Sequence, residues 1–327
     1  MGGDHAPGAV VAGAIEAART TGAAITLVGP ADALRAELER QAPLSARTLT
    51  IVDAPDVVAM AESPLAALRR KPRASIRVAT DLVARGEADA CFSAGHTGAA
   101  VLAAHGAFGL LPGVERPAIA VIFPTPTGAA VLLDAGANVE CRAEHLRQFA
   151  LMGAAYARVV LNLDKPRVGL LSIGEEAGKG TDLVRDAHAQ LAEAPVCFIG
   201  NLEARDMFAG RADVIVCDGF TGNIALKVGE GLVEAVEQMI REELGAEVVS
   251  QLGAYLSRRA FARFKQRVDA AEYGGAPLLG VAGLAIIGHG RSTPQAVRSG
   301  IALAGRLAQG QLVRRLSDAI RQEPGNQ

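Results

Sequence analysis

The sequence contains no tryptophan, and aromatic residues occupy only 4% of its 327 positions. Apolar residues still reach 50%, a share that excludes a disordered chain. Most of them are small and aliphatic, which lets helices pack closely on a sheet. A chain of this length buries a large core, so we expect one α/β domain over residues 1–327, built of two closely joined lobes.

The chain also lacks an excess of either charge, since its formal net charge at pH 7 is −2. A strongly basic surface is typical of proteins that bind nucleic acid, so we expect no nucleic-acid partner. An acidic protein partner would have to meet a local cluster of basic side chains.

Cysteine is scarce, and no two of the cysteines form a C-x-x-C pair: Cys91, Cys141, Cys197 and Cys217. We expect reduced thiols rather than a redox or metal motif, and the apolar runs around Cys91, Cys197 and Cys217 predict strand cores. The histidines have no metal-ligand spacing either, so we predict neither a metal nor a cofactor.

The histidines fall into two groups. His105, His145 and His188 lie in helical patterns, where we expect them on the surface. The others occupy glycine-rich turns and are the site candidates: His5, His96 and His289.

Long apolar runs are absent as well. The longest, residues 278–287, is about half of what a membrane-spanning helix needs. The chain opens on the polar glycine turn Met1-Gly2-Gly3-Asp4 rather than on a secretion signal, so we expect a cytoplasmic protein. Because an α/β unit should open with a strand, we also expect that a short first strand is missing and that residues 1–8 lie at a strand end.

Short apolar segments alternate with amphipathic helical patterns through most of the chain. The predicted strands are residues 24–29, 49–52, 88–93, 118–123, 129–134, 168–173, 196–200 and 213–217. Continuous apolar strands separated by helices predict a mostly parallel sheet covered by helices on both faces. Ligands bind such sheets at the carboxyl ends of the strands.

Helical patterns dominate residues 222–267. One helix is predicted over residues 222–244, with an apolar stripe, and a second stretch over residues 248–265 mixes apolar and basic side chains. We expect these residues to form a helical protrusion.

Four glycine-rich turns follow predicted strands. The first contains Ser93, His96, Thr97 and Gly98. Glycines let backbone N–H groups approach an anion, and the following helix presents its positive end, so this turn favours a phosphate. An ordinary strand-to-helix turn has the same pattern.

The other turns carry further polar residues. Asp134 and Asn138 of the second could bind a ligand or cap the turn. The third resembles a P-loop without matching G-x-x-x-x-G-K-[ST], and its Lys179 is predicted to meet a phosphate or a developing negative charge. The fourth contains Asp218 and places Asn223 in the first turn of the long helix, as a cap or as a donor to a carbonyl oxygen. We expect the four turns to converge on one anion pocket.

Together these turns resemble the bacterial acyl-carrier-protein:phosphate acyltransferase family of phospholipid synthesis. The matching stretches follow the family's order along nearly the whole chain: residues 1–4, 69–71, 88–99, 115–118, 134–138, 171–180, 200–206, 217–223 and 272–280.

The resemblance implies a homodimer with an isocitrate/isopropylmalate-dehydrogenase-like α/β fold. It also implies that an acyl group moves from an acyl carrier protein thioester to inorganic phosphate, which gives acyl phosphate and free carrier. Phosphate is then the nucleophile, which agrees with the lack of a recognisable nucleophile motif in the sequence.

For this reaction we expect Ser93, Thr97 and Gly98 to hold phosphate and Lys179 to neutralise it. Asn223 would donate to the thioester oxygen or to phosphate. Asp134, Asn138 and Asp218 are counted with the phosphate and substrate site. His96 stands where family members usually carry Asn; it can still donate to phosphate, and it adds a titratable group.

An acidic carrier protein needs a basic docking patch. The second helical stretch offers one, interleaved with Phe261 and Phe264: Arg258, Arg259, Arg263 and Lys265. A solvated charged helix face is the alternative. The apolar residues of the same stretch could extend the acyl-chain path, touch a bilayer surface or form the dimer core.

Other functions remain open at this point. A phosphate acetyltransferase using coenzyme A would share the chemistry, and an NAD-dependent dehydrogenase would share the fold class, although no G-x-G-x-x-G follows a strand. A non-catalytic anion-binding regulator is a third alternative, which the presence of Lys179 and Asn223 on separate turns disfavours.

Overall fold

A computed structural model describes residues 1–41, 49–268 and 274–321. The strands are β1 (Ile25–Gly29), β2 (Leu49–Asp53), β3 (Cys91–Ser93), β4 (Ala118–Thr125), β5 (Gly128–Leu133), β6 (Arg167–Leu171), β7 (Cys197–Leu202), β8 (Val214–Val216), β9 (Ala276–Leu279) and β10 (Ala285–Ile287). Glu272 and Tyr273, at the start of the last matching stretch, lie outside the described residues.

The helices alternate with these strands. They are α1 (Gly8–Thr21), α2 (Ala31–Gln41), α3 (Pro64–Arg70), α4 (Ser75–Ala84), α5 (Thr97–Phe108), α6 (Ala143–Val160), α7 (Asp182–Ala192), α8 (Gly219–Ala246), α9 (Val248–Val268), α10 (Pro294–Gln309) and α11 (Leu312–Arg321), with a 3-10 helix at Ala204–Phe208.

The strands form two sheets. β1 and β2 pair in parallel, and the other strands form one sheet in the order β3-β10-β9-β4-β5-β8-β6-β7. Pairing in the large sheet is parallel except around β9 and β4, each of which is antiparallel to both neighbours. The predicted α/β class with a mostly parallel, helix-covered sheet is confirmed.

One face of the large sheet is covered by α6, with α10 and α11 in the same apolar cluster. Helix α6 is buried along most of its length because its inward residues are alanines and a few large apolar side chains such as Phe149 and Tyr156. Gly153 lets it lie close to the strands, since a Cβ there would come within 2.6 Å of Val214 Cγ1.

The second apolar cluster joins α5 and α8. It contains Ala100 and Ala104 of α5 together with Ile119 and Ala135, and Leu226 of α8 packs against it. Helices α5 and α8 therefore border the same apolar region over the central strands.

Helices α8 and α9 form a hairpin whose apolar residues are largely exposed. Only Gly219 and Gly222 of α8 are buried, whereas Leu232 is 63% exposed and Leu256 of α9 is 73% exposed. Both predicted helical stretches are thus observed as helices. The assignment of the chain to a single domain stays a prediction.

Two predictions about single residues are wrong. Cys197 is exposed rather than in a strand core, because it opens the edge strand β7. His145 is buried rather than on the surface, because it lies on the buried helix α6; its Nδ1 accepts a hydrogen bond from the Arg142 backbone N–H over 3.1 Å. Among the described residues, no helix combines the length and apolarity that crossing a bilayer requires.

Candidate functional site

Three of the four glycine-rich turns leave the large sheet at the same end of its strands. They follow β5, β8 and β6, which are parallel neighbours in that order. Neighbouring strands lie about 4.8 Å apart, so Lys179 and Asn223 belong to turns that start side by side.

Asp134 organises the turn after β5. It is completely buried, and its Oδ1 accepts hydrogen bonds from the backbone N–H groups of Ile119 and Ala137 over 3.0 Å each. The Asn138 N–H donates to Oδ2 over 2.7 Å. Burial raises the pKa of Asp134, and these hydrogen bonds act in the opposite direction by favouring the carboxylate.

Asn138 closes the same turn. Its side-chain Nδ2 donates to Pro117 O over 2.7 Å and to Asp134 Oδ2 over 2.8 Å. Both hydrogens of this amide are therefore used in hydrogen bonds within the protein. Of the two open alternatives, the geometry favours the capping role for Asp134 and Asn138 and gives no support to direct contact with a substrate.

The turn after β8 is locked onto the turn after β5. The Gly219 N–H donates to Asn138 O over 2.8 Å, and a Cβ at Gly219 would lie 2.5 Å from that oxygen. Asp218 caps α8, since its two oxygens accept from the Thr221 N–H and hydroxyl over 2.8 and 2.7 Å. Asp218 thus has a structural role, and its predicted contact with substrate gains no support.

Asn223 is exposed beside this junction. A Cβ at Gly136 would lie 3.5 Å from Asn223 Cγ, so the amide stands over the glycine. Because α8 begins at Gly219, Asn223 lies in the second helical turn rather than the predicted first. Its side-chain amide makes no hydrogen bond to any described residue, so its donors are available to a ligand.

Lys179 is also exposed and uncommitted. Its ammonium forms no ion pair or hydrogen bond within the part of the chain that the structure describes, and its stem lies against Gly174. The turn ends where Thr181 caps α7 by accepting the Val184 N–H over 3.3 Å. The two predicted catalytic side chains are therefore both free donors at one sheet edge.

The turn after β3 departs from the expected convergence. β3 runs parallel to β10, and the antiparallel pairs of β9 and β4 reverse its direction relative to β5. Its turn therefore leaves the sheet at the opposite end of the strands, and the expectation that strand ends bring all four turns together is wrong for this one. A shared site would have to run across the sheet face between α5 and α8.

Residues of this first turn contact the start of the chain. Ser93 Oγ accepts the Gly95 N–H over 3.3 Å, and a Cβ at Gly3 would lie 2.5 Å from Ala94 O. Thr97 is exposed as the first residue of α5.

His96 precedes α5 at its N-cap without making a side-chain cap. Its Nδ1 is buried and has no hydrogen-bond partner among the described residues. Gly98 lies beside it, because a Cβ there would be 3.3 Å from His96 Cε1 and 3.0 Å from Pro64 Cγ. The helix end thus combines free backbone N–H groups with an unpartnered imidazole nitrogen.

The thiols nearest to the turns are poor nucleophiles. Burial, with the charge of Asp134, raises the pKa of Cys141 to about 11, and burial also raises the pKa of Cys217 well above its ordinary value. Both thiols are protonated at neutral pH, so neither supplies a thiolate.

The predicted basic patch lies on α9, and we call it the α9 basic patch: Arg258, Arg259, Arg263 and Lys265. All four side chains are exposed, and none forms an ion pair with a described residue. The Arg258 guanidinium lies 4.3 Å from the centre of the Tyr255 ring. This geometry fits a docking surface and a solvated helix face equally.

Sequence reasoning missed Asn201. This buried side chain on β7 donates to the backbone of the turn that carries Lys179. The only signal was its place in the matching stretch of residues 200–206.

Comparison with known proteins gives consistent results. The model of the family described as "Fatty acid synthesis protein" matches residues 1–315. A curated phosphate acyltransferase from Heliobacterium modesticaldum is 52% identical over 93% of this chain and 91% of its own length.

Two solved structures share the fold. A phosphotransacetylase from Streptococcus pyogenes has a TM-score of 0.63 at 19% identity, covering 94% of this chain and 92% of its own. A 4-hydroxythreonine-4-phosphate dehydrogenase from Klebsiella pneumoniae has a TM-score of 0.52 at 17% identity, covering 93% and 95%. The predicted dehydrogenase-like fold is confirmed, and at these identities the likeness shows the fold alone.

Proposed function

Since this chain belongs to the fatty acid synthesis protein family and is a phosphate acyltransferase, we propose that it moves an acyl group from an acyl carrier protein thioester to inorganic phosphate. One observation of the structure carries the proposal at the level of residues. Two free donors lie beyond the ends of the neighbouring strands β6 and β8: Lys179 on the turn after β6, and Asn223 in the second turn of α8.

The reaction needs no nucleophile from the protein. A phosphate oxygen attacks the thioester carbonyl carbon, a C–O bond forms, and the carbonyl oxygen becomes an oxyanion. The C–S bond then breaks, and the carrier leaves as a thiolate that takes up a proton. The enzyme has to orient phosphate and stabilise the oxyanion.

In this proposal Lys179 and Asn223 stabilise the negative charges of the reaction. The Lys179 ammonium neutralises phosphate as it approaches the thioester, and the Asn223 amide donates to the oxyanion. The network of Asp134 and Asn138 keeps the backbone under Asn223 fixed, so the amide needs little reorganisation during the reaction.

Phosphate enters from the α5 end in this proposal. Ser93, His96, Thr97 and Gly98 surround the first turn of α5, where free N–H groups and the helix dipole attract an anion. The path to Lys179 then crosses the face between α5 and α8.

Replacing Thr97 with Val should raise the KM for phosphate and leave the KM for the carrier substrate unchanged. An unchanged KM for phosphate would remove this turn from the site.

The carrier protein is proposed to dock on the α9 basic patch.

A second copy of the chain is proposed to cover the exposed apolar stripe of α8. A Val228→Asp and Leu232→Asp double variant should then sediment as a monomer, whereas the wild type should sediment as a dimer. Wild-type monomers that bind vesicles through this hairpin would instead support peripheral membrane contact. Under this proposal the protein works in the cytoplasm.

The test of the whole proposal is the formation of acyl phosphate from phosphate and three acyl donors: a carrier protein thioester, a coenzyme A thioester and a donor without carrier. We expect turnover with the carrier protein thioester. Turnover with the coenzyme A thioester and none with the carrier protein thioester would favour the phosphate acetyltransferase alternative and contradict the carrier protein as the acyl donor.

A further inference from the structure

Asn201 uses both ends of its side chain inside the protein. It lies on β7 and is 3% exposed. Its Nδ2 donates to the backbone oxygen of Glu176 over 2.9 Å, and its Oδ1 lies 2.9 Å from His188 Nδ1.

These contacts fix the direction of each hydrogen bond. Because a carbonyl oxygen only accepts, the Asn201 nitrogen faces Glu176 and the amide oxygen faces His188. His188 Nδ1 must then carry the hydrogen and donate it. The His188 ring is held edge-on against Phe198, with the ring centres 5.1 Å apart. His188, Asn201 and the Glu176 carbonyl thus form a directed chain from α7 to the turn after β6.

The chain ends on the turn that carries Lys179. The Lys179 backbone N–H donates to the same Glu176 oxygen over 3.0 Å, so Lys179 and Asn201 share one acceptor. The turn also contains Gly174, Gly178 and Gly180, which restrain its backbone little. It needs an anchor from outside.

A second tether exists but is more exposed. Glu175 pairs with Arg211 over 2.5 Å, and both side chains are about half exposed, at 51% and 47%. Ion pairs between side chains this exposed contribute little to stability, because water screens the two charges. The buried bond from Asn201 is the stronger restraint on the turn.

We propose that Asn201 is a positioning residue that acts through Lys179: by holding the Glu176 carbonyl, it fixes the turn that places the ammonium in the site. His188 supports it by orienting the amide. This inference rests on the proposed role of Lys179, and it gives Asn201, in the matching stretch of residues 200–206, a role that the sequence did not reveal.

Asn201→Asp tests the anchor with almost no change of shape. The new carboxylate still accepts from His188, but it turns an oxygen toward the Glu176 oxygen, so one hydrogen bond is lost and replaced by repulsion. We expect kcat to fall by about 10- to 100-fold, the scale of a small misplacement of a catalytic group, with the KM for the carrier substrate unchanged. Cys197→Ser, an exposed change on the same strand, is the control and should keep wild-type kcat.

A double-mutant cycle with Lys179→Ala separates positioning from general stability. If Asn201 acts through Lys179, Asn201→Asp causes no further loss of kcat in the Lys179→Ala background. Equal losses in both backgrounds, or a lowered Tm with unchanged kcat, would overturn the inference.

Hydrogen exchange of the Lys179 amide distinguishes failure of this inference from failure of the proposed function. In Asn201→Asp we expect this amide to exchange at least about 10-fold faster than in Cys197→Ser, because its acceptor is no longer held. Unchanged exchange would refute the anchor itself. A third result is faster exchange in Asn201→Asp together with a normal kcat in Lys179→Ala. It would show that the anchor exists but that Lys179 has no catalytic role, so the proposed function of Lys179 would fail and the inference that rests on it would fail too.

Discussion

Gly174 sets how close the backbone lies to the stem of Lys179. A Cβ at this position would lie 3.0 Å from Lys179 Cγ and from Glu176 Oε2, so Gly174→Ala shifts the stem of the lysine by a few tenths of an ångström. We expect kcat to fall by about 10-fold, measured as the initial rate of acyl phosphate formation. Gly178→Ala, in the same turn, is the control because a Cβ there meets no atom within 4 Å. Equal losses in the two variants would contradict this account of the turn.

Single residues show what the sequence can and cannot predict about a site. The sequence predicts Lys179 as a site residue because a lysine on a glycine-rich turn has few structural uses, whereas it predicts Asn223 as either a helix cap or a donor to a carbonyl oxygen. Both catalytic roles stay predictions. Asp134 could not be assigned, because an aspartate that caps a turn and one that binds a ligand occupy the same sequence pattern. The role of Asn201 could not be derived from its place in a matching stretch, because its partner Glu176 meets it only when α7, β7 and the turn after β6 pack together.

Between elements, the pair of Arg167 and Asp213 ties the starts of β6 and β8. Arg167 donates from its guanidinium to both carboxylate oxygens, over 3.0 and 2.8 Å, and from its backbone N–H over 2.8 Å. Burial acts to raise the pKa of Asp213, but these hydrogen bonds outweigh it and hold the pKa below its ordinary value of 3.8.

A lowered pKa in the folded state means that the pair stabilises the protein above the unfolded pKa and loses this contribution as the pH falls through the folded value. The free energy of unfolding in urea should therefore fall more steeply for the wild type than for Asp213→Asn as the pH drops from about 4 to about 2. The exposed Asp164→Asn serves as control and should follow the wild type. A parallel decline in Asp213→Asn would mean that the pair makes no such contribution.

The prediction of elements succeeded where apolar runs were bounded by polar turns, as for β4 and β5. It missed β9 and β10, because residues 278–287 form one apolar run in which the turn between the strands is hidden. The expected direction of β3 was wrong for the same reason. β9 and β10 insert between β3 and β4 from the C-terminal part of the chain, and their pairing decides at which end of the sheet Ser93 and His96 emerge.

At the scale of the whole molecule, the fold does not decide the reaction, because phosphotransacylases and a dehydrogenase share it. The proposed acyl carrier protein donor distinguishes the proposed reaction from the others, and the proposed docking surface can be tested by charge. Arg258→Glu with Arg259→Glu should raise the KM for the carrier substrate by about 10-fold or more and leave the KM for phosphate unchanged.

The control for this charge reversal is Arg314→Glu with Arg315→Glu, an equal change at exposed positions of α11. It should leave both KM values at the wild-type level. If the two double variants raise the KM for the carrier substrate equally, the effect comes from net charge and the α9 basic patch is not the docking surface.

Lys179 is proposed to stabilise the charge that develops during phosphate attack, and single-turnover formation of acyl phosphate by Lys179→Ala measures this role. Lys165→Ala is the matched control, since Lys165 is equally exposed but precedes β6 at the other end of the strand. We expect the single-turnover rate to fall at least ~100-fold for Lys179→Ala and to stay unchanged for Lys165→Ala. A rate for Lys179→Ala equal to that of the wild type would contradict it.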